Sequence, residues 1–126
     1  MACGDLRHGV AAVGEAGDQG EAFEGEAGVV LAREYDVASV CIMPYALRRC
    51  ADLLAGSTVA PSTTIGFPHG GHATDTKRAE AVHAVEDGGQ ELDMVINISK
   101  ALSGDWTYVR NDIEAVLDVT HGAKRW

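Results

Sequence analysis

The sequence predicts an α/β fold on a parallel sheet, because three short apolar runs alternate with three amphipathic helical patterns. The apolar runs cover residues 37–42, 59–65 and 91–97, and the helical patterns cover 45–55, 74–87 and 106–120. Short, nearly continuous apolar runs are typical of strands buried on both faces, as in parallel sheets. Three βα units in series fit either an open, doubly wound sheet or part of a (β/α)8 barrel.

Local signals support the ends of these helices. Pro44 opens the first helix and Gly56 follows its last apolar residue, as a C-terminal glycine does. Thr74 is the predicted N-cap of the second helix, which ends at the glycines 88–89. A further helix is predicted from about residue 23 to residue 35.

The N-terminal segment differs from the rest of the chain. Residues 1–22 are rich in Gly, Ala and Glu and show neither helical nor strand periodicity, which predicts disorder. Residues 23–126 are therefore the predicted folded domain. A chain of 126 residues with 46% hydrophobic residues is long enough for about one such domain.

Charge and composition restrict the class of function. The formal net charge of −9 opposes binding to nucleic acid and to anionic membranes. No apolar run has the length of a membrane-spanning helix, and the N-terminus does not resemble a signal peptide, so a cytoplasmic location is expected. The three cysteines have no CxxC spacing, which argues against a disulfide framework or a structural zinc site.

Two residues of the predicted strands are candidates for chemistry. Asp93 interrupts a buried strand, where a carboxylate is costly unless it is paired, hydrogen-bonded or protonated. It is either a general acid/base or a structural ion-pair or strand-end residue. Cys41 lies near the carboxyl end of the first strand, where α/β folds place their sites. On its own it is equally well a small buried hydrophobic residue.

The remaining ionisable candidates are weaker. His69 and His72 lie in a glycine-rich loop, but no third metal ligand occurs at a diagnostic spacing. A Schiff-base lysine needs a desolvated position in a pocket, and none of the three lysines of the chain has that placement. These lysines are Lys77, Lys100 and Lys124.

Four motifs together resemble the deoxyribose-phosphate aldolases in order and spacing. They are ASVCIMP at residues 38–44, GFPHG at 66–70, TxxKxxE at 74–80, and ELDMVIN at 91–97 followed by SGD at 103–105. The resemblance extends over about residues 23–124. It implies that the α/β fold is a partial (β/α)8 TIM barrel of about three βα units.

The resemblance also implies a function. Members of this family are class I aldolases that cleave 2-deoxyribose 5-phosphate to glyceraldehyde 3-phosphate and acetaldehyde through a lysine Schiff base, without metal or cofactor. On this chain Asp93 matches the family's proton donor and acceptor, and Cys41 matches a residue that lines the substrate pocket. Lys77 and Glu80 match helix positions that look structural.

The chain also departs from the family pattern. A complete barrel of this type has about 250 residues, and the family's first strand, Schiff-base lysine and phosphate-binding loops have no counterpart here. We therefore expect a fragment that is inactive alone and that self-associates through open sheet edges. The alternatives are a half-barrel that becomes active with a second chain, and a non-catalytic half-barrel that binds or regulates a full-length aldolase.

Overall fold

The computed structural model describes residues 10–12 and 25–120. In these ranges strands and helices alternate along the chain. The strands are β1 (Val10–Ala12), β2 (Ser39–Ile42), β3 (Ala60–Ile65) and β4 (Glu91–Met94). The helices are α1 (Gly25–Glu34), α2 (Leu47–Leu54), α3 (Thr74–Glu86), α4 (Ile98–Leu102) and α5 (Trp106–Val119), with a 3-10 turn (Pro44–Ala46) before α2.

The four strands form one parallel sheet in the order β1-β2-β3-β4. Each strand therefore neighbours the next one along the chain, and a helix connects them from β1 to β4. A doubly wound sheet reverses its strand order at a switch point, whereas a barrel keeps sequential neighbours throughout. The order observed is that of a barrel segment, and the predicted partial (β/α)8 fold is confirmed.

The two faces of the sheet have different chemistry. Side chains alternate between the faces of a strand, and one face presents apolar residues to the helices. The core formed there includes Val40, Ile42, Ile65 and Leu92 from the strands together with Leu47, Cys50, Leu54, Ala81 and Ala84 from α2 and α3. The opposite face carries the small or polar residues Ser39, Cys41, Ser62, Thr64, Glu91 and Asp93.

Strand β1 corrects one expectation from the sequence. No strand was expected before β2, yet Val10–Ala12 pair in parallel with Ser39–Cys41. Such a three-residue strand is defined by pairing with its neighbour, which a local sequence pattern does not show. The rest of the segment predicted to be disordered lies outside the described residues, and so do residues 23–24 and 121–126 of the predicted domain.

Helix α3 corrects a second expectation. The residue that precedes the helix is Ala73, and no side chain caps it. Thr74 is instead the first helical residue, and its hydroxyl donates to Asp112 Oδ1 on α5 at 2.8 Å. A tertiary partner thus replaces the local cap. None of the helices in the described ranges has the length and apolar character needed to cross a membrane.

Candidate functional site

The residues predicted to carry chemistry lie on the polar face of the sheet. Cys41 pairs in register with Ser62, and Thr64 pairs with Asp93. Because alternate residues share a face, these four side chains point to the same side, away from the helix layer. Asp93 is next to last in β4 and Cys41 is next to last in β2, so both lie near the carboxyl ends of their strands.

The charge of Asp93 affects the titration of the Cys41 thiol. Burial is the main reason that the pKa of the Cys41 thiol is raised, and the negative charge of Asp93 raises it further. A hydrogen bond with Asp93 favours the neutral thiol, whereas a hydrogen bond with Ser62 favours the thiolate and acts in the opposite direction. Cys41 is therefore a protonated, weakly nucleophilic thiol at neutral pH, which suits a pocket wall better than a nucleophile.

Asp93 is half-buried, and within residues 25–120 it forms no ion pair. The alternative of a structural ion pair thus has no support in the described part of the chain. A carboxylate at the carboxyl end of a barrel strand is available for proton transfer.

Lys77 occupies a very different environment from a Schiff-base lysine. Its side chain is fully buried, and its Nζ donates to Asp112 Oδ2 at 2.6 Å and to the carbonyl oxygen of Val95 at 3.0 Å. Asp112 is 1% exposed, and its other oxygen accepts from Thr74. We call these four groups, Lys77, Asp112, Thr74 and the Val95 carbonyl, the Lys77 cluster. All their charges are paired inside the protein, so the cluster joins α3, α5 and the end of β4 and leaves no free amine.

The other lysine of the described ranges is also engaged. Lys100 Nζ donates to Asp105 Oδ2 at 3.0 Å and lies 4.8 Å from the centre of the Tyr108 ring. Asp105 in turn caps α5 by accepting from the Tyr108 N–H at 3.1 Å. This contact stabilises the turn between α4 and α5, and Lys124 lies outside the described residues.

The glycine-rich loop between β3 and α3 is closely packed. The Gly66 N–H donates to Glu80 Oε2 at 2.8 Å, and the Gly70 N–H donates to the Gly66 carbonyl at 2.7 Å. These two backbone N–H groups are thus used within the protein and are not available to a phosphate or another anion. A Cβ at Gly70, which has φ +65°, would lie 1.8 Å from the carbonyl oxygen of Ile96. The backbone of the loop is therefore in close contact with the backbone of the segment that follows β4.

The histidines of this loop do not form a metal site with their surroundings. His69 is exposed, and the Nδ1 atom of His72 is buried without a hydrogen-bond partner. Across residues 10–12 and 25–120, no three His, Cys, Asp or Glu side chains are grouped so as to hold a metal ion.

Sequence reasoning did not identify Asp112, the partner of Lys77. A signal was present, because Asp112 lies between Val109 and Val116 and is buried together with them along α5. An acidic residue on the apolar face of an amphipathic helix requires a buried partner.

The strand order and the polar strand ends define a class: the described residues form a segment of a (β/α)8 barrel. Curated relatives identify the family. A deoxyribose-phosphate aldolase of Rhodopirellula baltica is 59% identical over 98 residues, which are 78% of this chain and 41% of the relative. One from Brevibacillus brevis is 48% identical over 85 residues, 68% of this chain and 38% of the relative.

Solved structures give the same result. A candidate deoxyribose-phosphate aldolase from Coccidioides immitis superposes with a TM-score of 0.81 at 31% identity, and the match covers 92% of this chain and 44% of that one. No family model matches the chain. The chain belongs to the deoxyribose-phosphate aldolase family, as its motifs predicted. It spans roughly two fifths of the length of the curated relatives named above.

Proposed function

We propose that this chain provides part of the active site of a class I aldolase that cleaves 2-deoxyribose 5-phosphate to glyceraldehyde 3-phosphate and acetaldehyde. Asp93 is the proton donor and acceptor of that site, and Cys41 lines its substrate pocket. The Schiff-base lysine belongs to residues outside this sequence, so the 126-residue chain alone does not catalyse the reaction. The reaction needs neither metal nor cofactor.

The observation that carries the proposal is the strand register, which places Asp93 and Cys41 on the same polar face, each next to last in its strand. A retro-aldol cleavage requires a group that accepts the proton of the substrate hydroxyl and returns a proton to the enamine carbon. A half-buried carboxylate near the carboxyl end of a strand has the placement for both transfers. The neutral thiol beside it adds no competing charge or nucleophile.

The environment of the described lysines supports the second part of the proposal. A Schiff-base lysine must present a neutral amine to the substrate carbonyl. Lys77 Nζ is fully buried and bound to the carboxylate of Asp112, and Lys100 Nζ is bound to Asp105, so neither amine is presented to a substrate. We therefore expect that incubation with substrate followed by borohydride reduction adds no mass to the isolated chain, whereas a full-length relative treated in parallel is labelled.

A chimera tests the catalytic contribution directly. Residues 25–120 replace the aligned segment of a full-length relative, and cleavage of 2-deoxyribose 5-phosphate is measured. The chimera should be active, and Asp93→Asn in it should lower kcat by about 10²–10⁴-fold, the usual contribution of a general acid/base. Glu91→Gln is the matched control, because Glu91 lies on the same face of β4, two residues earlier, and should retain activity.

The chimera also tests the pocket role of Cys41. Replacement of Cys41 by Leu should raise KM more than it lowers kcat, since a wall residue contributes to binding rather than to proton transfer. An inactive but folded chimera, or an Asp93→Asn variant with full activity, would contradict the proposal.

Self-association and the cytoplasmic location stay predictions. Within the described strands, β4 forms a ladder with β3 on one edge only, and an unpaired strand edge favours association with another chain. We expect oligomers of the isolated chain in sedimentation velocity. A monomer that unfolds in guanidinium in one cooperative transition would contradict this expectation.

A further inference from the structure

The Lys77 cluster lies next to the end of β4, the strand that carries Asp93. Val95, whose carbonyl accepts from Lys77, comes two residues after Asp93. The N–H of the same residue donates to the Ile65 carbonyl of β3 at 2.9 Å. Both polar groups of the Val95 backbone are therefore fixed, one by the neighbouring strand and one by a side chain of α3.

The stem of Lys77 adds a third constraint. A Cβ on Gly66, the residue after β3, would lie 2.7 Å from Lys77 Cε. The side chain thus runs along the Gly66 backbone before its ammonium reaches Val95 and Asp112. One residue of α3 in this way contacts the carboxyl ends of β3 and β4 as well as α5.

The chemistry of the cluster indicates that it positions the backbone at Val95 and does not only stabilise the fold. An apolar pair of similar volume often packs as well as a buried ion pair or better. An apolar side chain, however, cannot donate to the Val95 carbonyl. The two oxygens of Asp112 are oriented by Lys77 and Thr74, so the position of the ammonium is defined to within hydrogen-bonding tolerance.

We propose that Lys77 is a positioning residue, which fixes the carboxyl end of β4, and with it Asp93, relative to β3 and α5. The inference rests on the proposed function only in that it takes Asp93 to be the catalytic acid/base. Lys77 itself does not touch the substrate. Its effect is transmitted through the backbone of residues 93–95.

The Cys41 thiol reports the position of Asp93 without any need for catalysis. Its pKa is raised in part by the charge of Asp93 and by their hydrogen bond, so displacement of the carboxylate should lower that pKa. The charge of Cys41 also raises the pKa of Cys50, which lies on α2 in the apolar core and not on β4. The rate of Cys41 alkylation by iodoacetamide is measured against pH in the full chain, with peptide mapping to separate the cysteines.

Three variants are compared with the wild type. Asp93→Asn shows how far the pKa of Cys41 moves when the charge at residue 93 is lost completely. The double variant Lys77→Met/Asp112→Leu removes the donor to Val95 but keeps an apolar volume. Lys100→Met is the matched control, since it removes a lysine from a half-exposed ion pair, with 42% side-chain exposure, whose Nζ donates to Asp105 rather than to the backbone at the end of β4.

We expect Asp93→Asn to lower the pKa of Cys41, the double variant to lower it in the same direction by a smaller amount, and Lys100→Met to leave it unchanged. A double variant that titrates like the wild type while Asp93→Asn is shifted would overturn the proposal. An Asp93→Asn variant without a shift would overturn it as well, because the Cys41 thiol would then not respond to the position of Asp93.

The single variant Asp112→Asn replaces the double variant in this test if the double variant does not fold. Asp112→Asn keeps the volume but removes the charge that pairs with the Lys77 side chain. The amide oxygen can still accept from Lys77, whereas the amide NH2 group can only donate to the Thr74 hydroxyl. This variant should give a smaller shift of the same sign, and an unchanged Cys41 titration in it would then refute the positioning role. Failure of the aldolase proposal would appear separately, as an inactive chimera in which the Cys41 titrations still behave as expected.

Discussion

Replacing one partner of the buried ion pair between Lys77 and Asp112 should lower the stability of the protein far more than replacing both. The side chains are 0% and 1% exposed, and the Nζ–Oδ2 distance is 2.6 Å. Lys77→Met leaves a buried carboxylate with only the Thr74 hydroxyl as a partner, and Asp112→Leu leaves a buried ammonium with only a carbonyl. Each single change should lower the free energy of unfolding by about 3–5 kcal/mol, the usual cost of an unpaired buried charge.

The double variant Lys77→Met/Asp112→Leu buries no charge. It leaves the Val95 carbonyl and the Thr74 hydroxyl without their partners, at about 1–3 kcal/mol for a buried polar group, and gains part of that back by apolar packing. We therefore expect the double variant to be more stable than either single variant.

Urea unfolding followed by circular dichroism at pH 7 gives the loss of unfolding free energy for each single variant and for the double variant, provided that their m values agree with that of the wild type. A double variant whose loss equals the sum of the two single losses would refute the reasoning, because additivity means that the two side chains do not interact.

Three other predictions test separate features. Gly70→Ala should lower stability by more than about 2 kcal/mol, since a Cβ there meets the Ile96 carbonyl at φ +65°, whereas Gly71→Ala, which meets nothing within 4 Å, should stay within about 0.5 kcal/mol in thermal unfolding. Burial, and then the charge of Cys41, raises the pKa of Cys50 from 9.0 to about 11, so its thiolate at pH 8 is about a hundredfold scarcer. Iodoacetamide should label it at least that much more slowly in the folded chain than in urea, and equal rates would contradict its burial. Hydrogen bonds from Lys100 and then from the Tyr108 backbone lower the pKa of Asp105 below 3.8. This stabilisation is present above pH 3.8 and is lost as the pH falls through the folded pKa, so the melting temperature should fall in acid and Asp105→Asn should reduce that slope.

Local pattern was sufficient for most of the fold. The apolar runs before Pro44 and Gly66 became β2 and β3, because short runs bounded by proline and glycine have few other stable conformations. The run at residues 91–97 was predicted too long, since β4 ends at Met94. Its last residue, Asn97, accepts from the Lys100 N–H and begins α4, a helix of 5 residues that is too short to show a period.

The candidate site was predictable only in part. The alternation within β4 placed Asp93 on one face, and the family motifs selected Cys41, but whether the two share a face depends on the register between strands. Register is a tertiary property that no single segment encodes. Thr74 shows the same limit, because its local preference for a cap was overridden by Asp112, a residue 38 positions further along the chain.

The division of the sheet into an apolar and a polar face has a consequence for how the strand assembles. If β4 shifted by one position along β3, Asp93 would enter the apolar helix layer and Leu92 and Met94 would turn toward the polar side. The misaligned form would bury a carboxylate among hydrocarbon side chains and be rejected during folding. The residue proposed to carry the chemistry thus also disfavours the misaligned pairing of β4 with β3, which would turn its carboxylate away from the polar face.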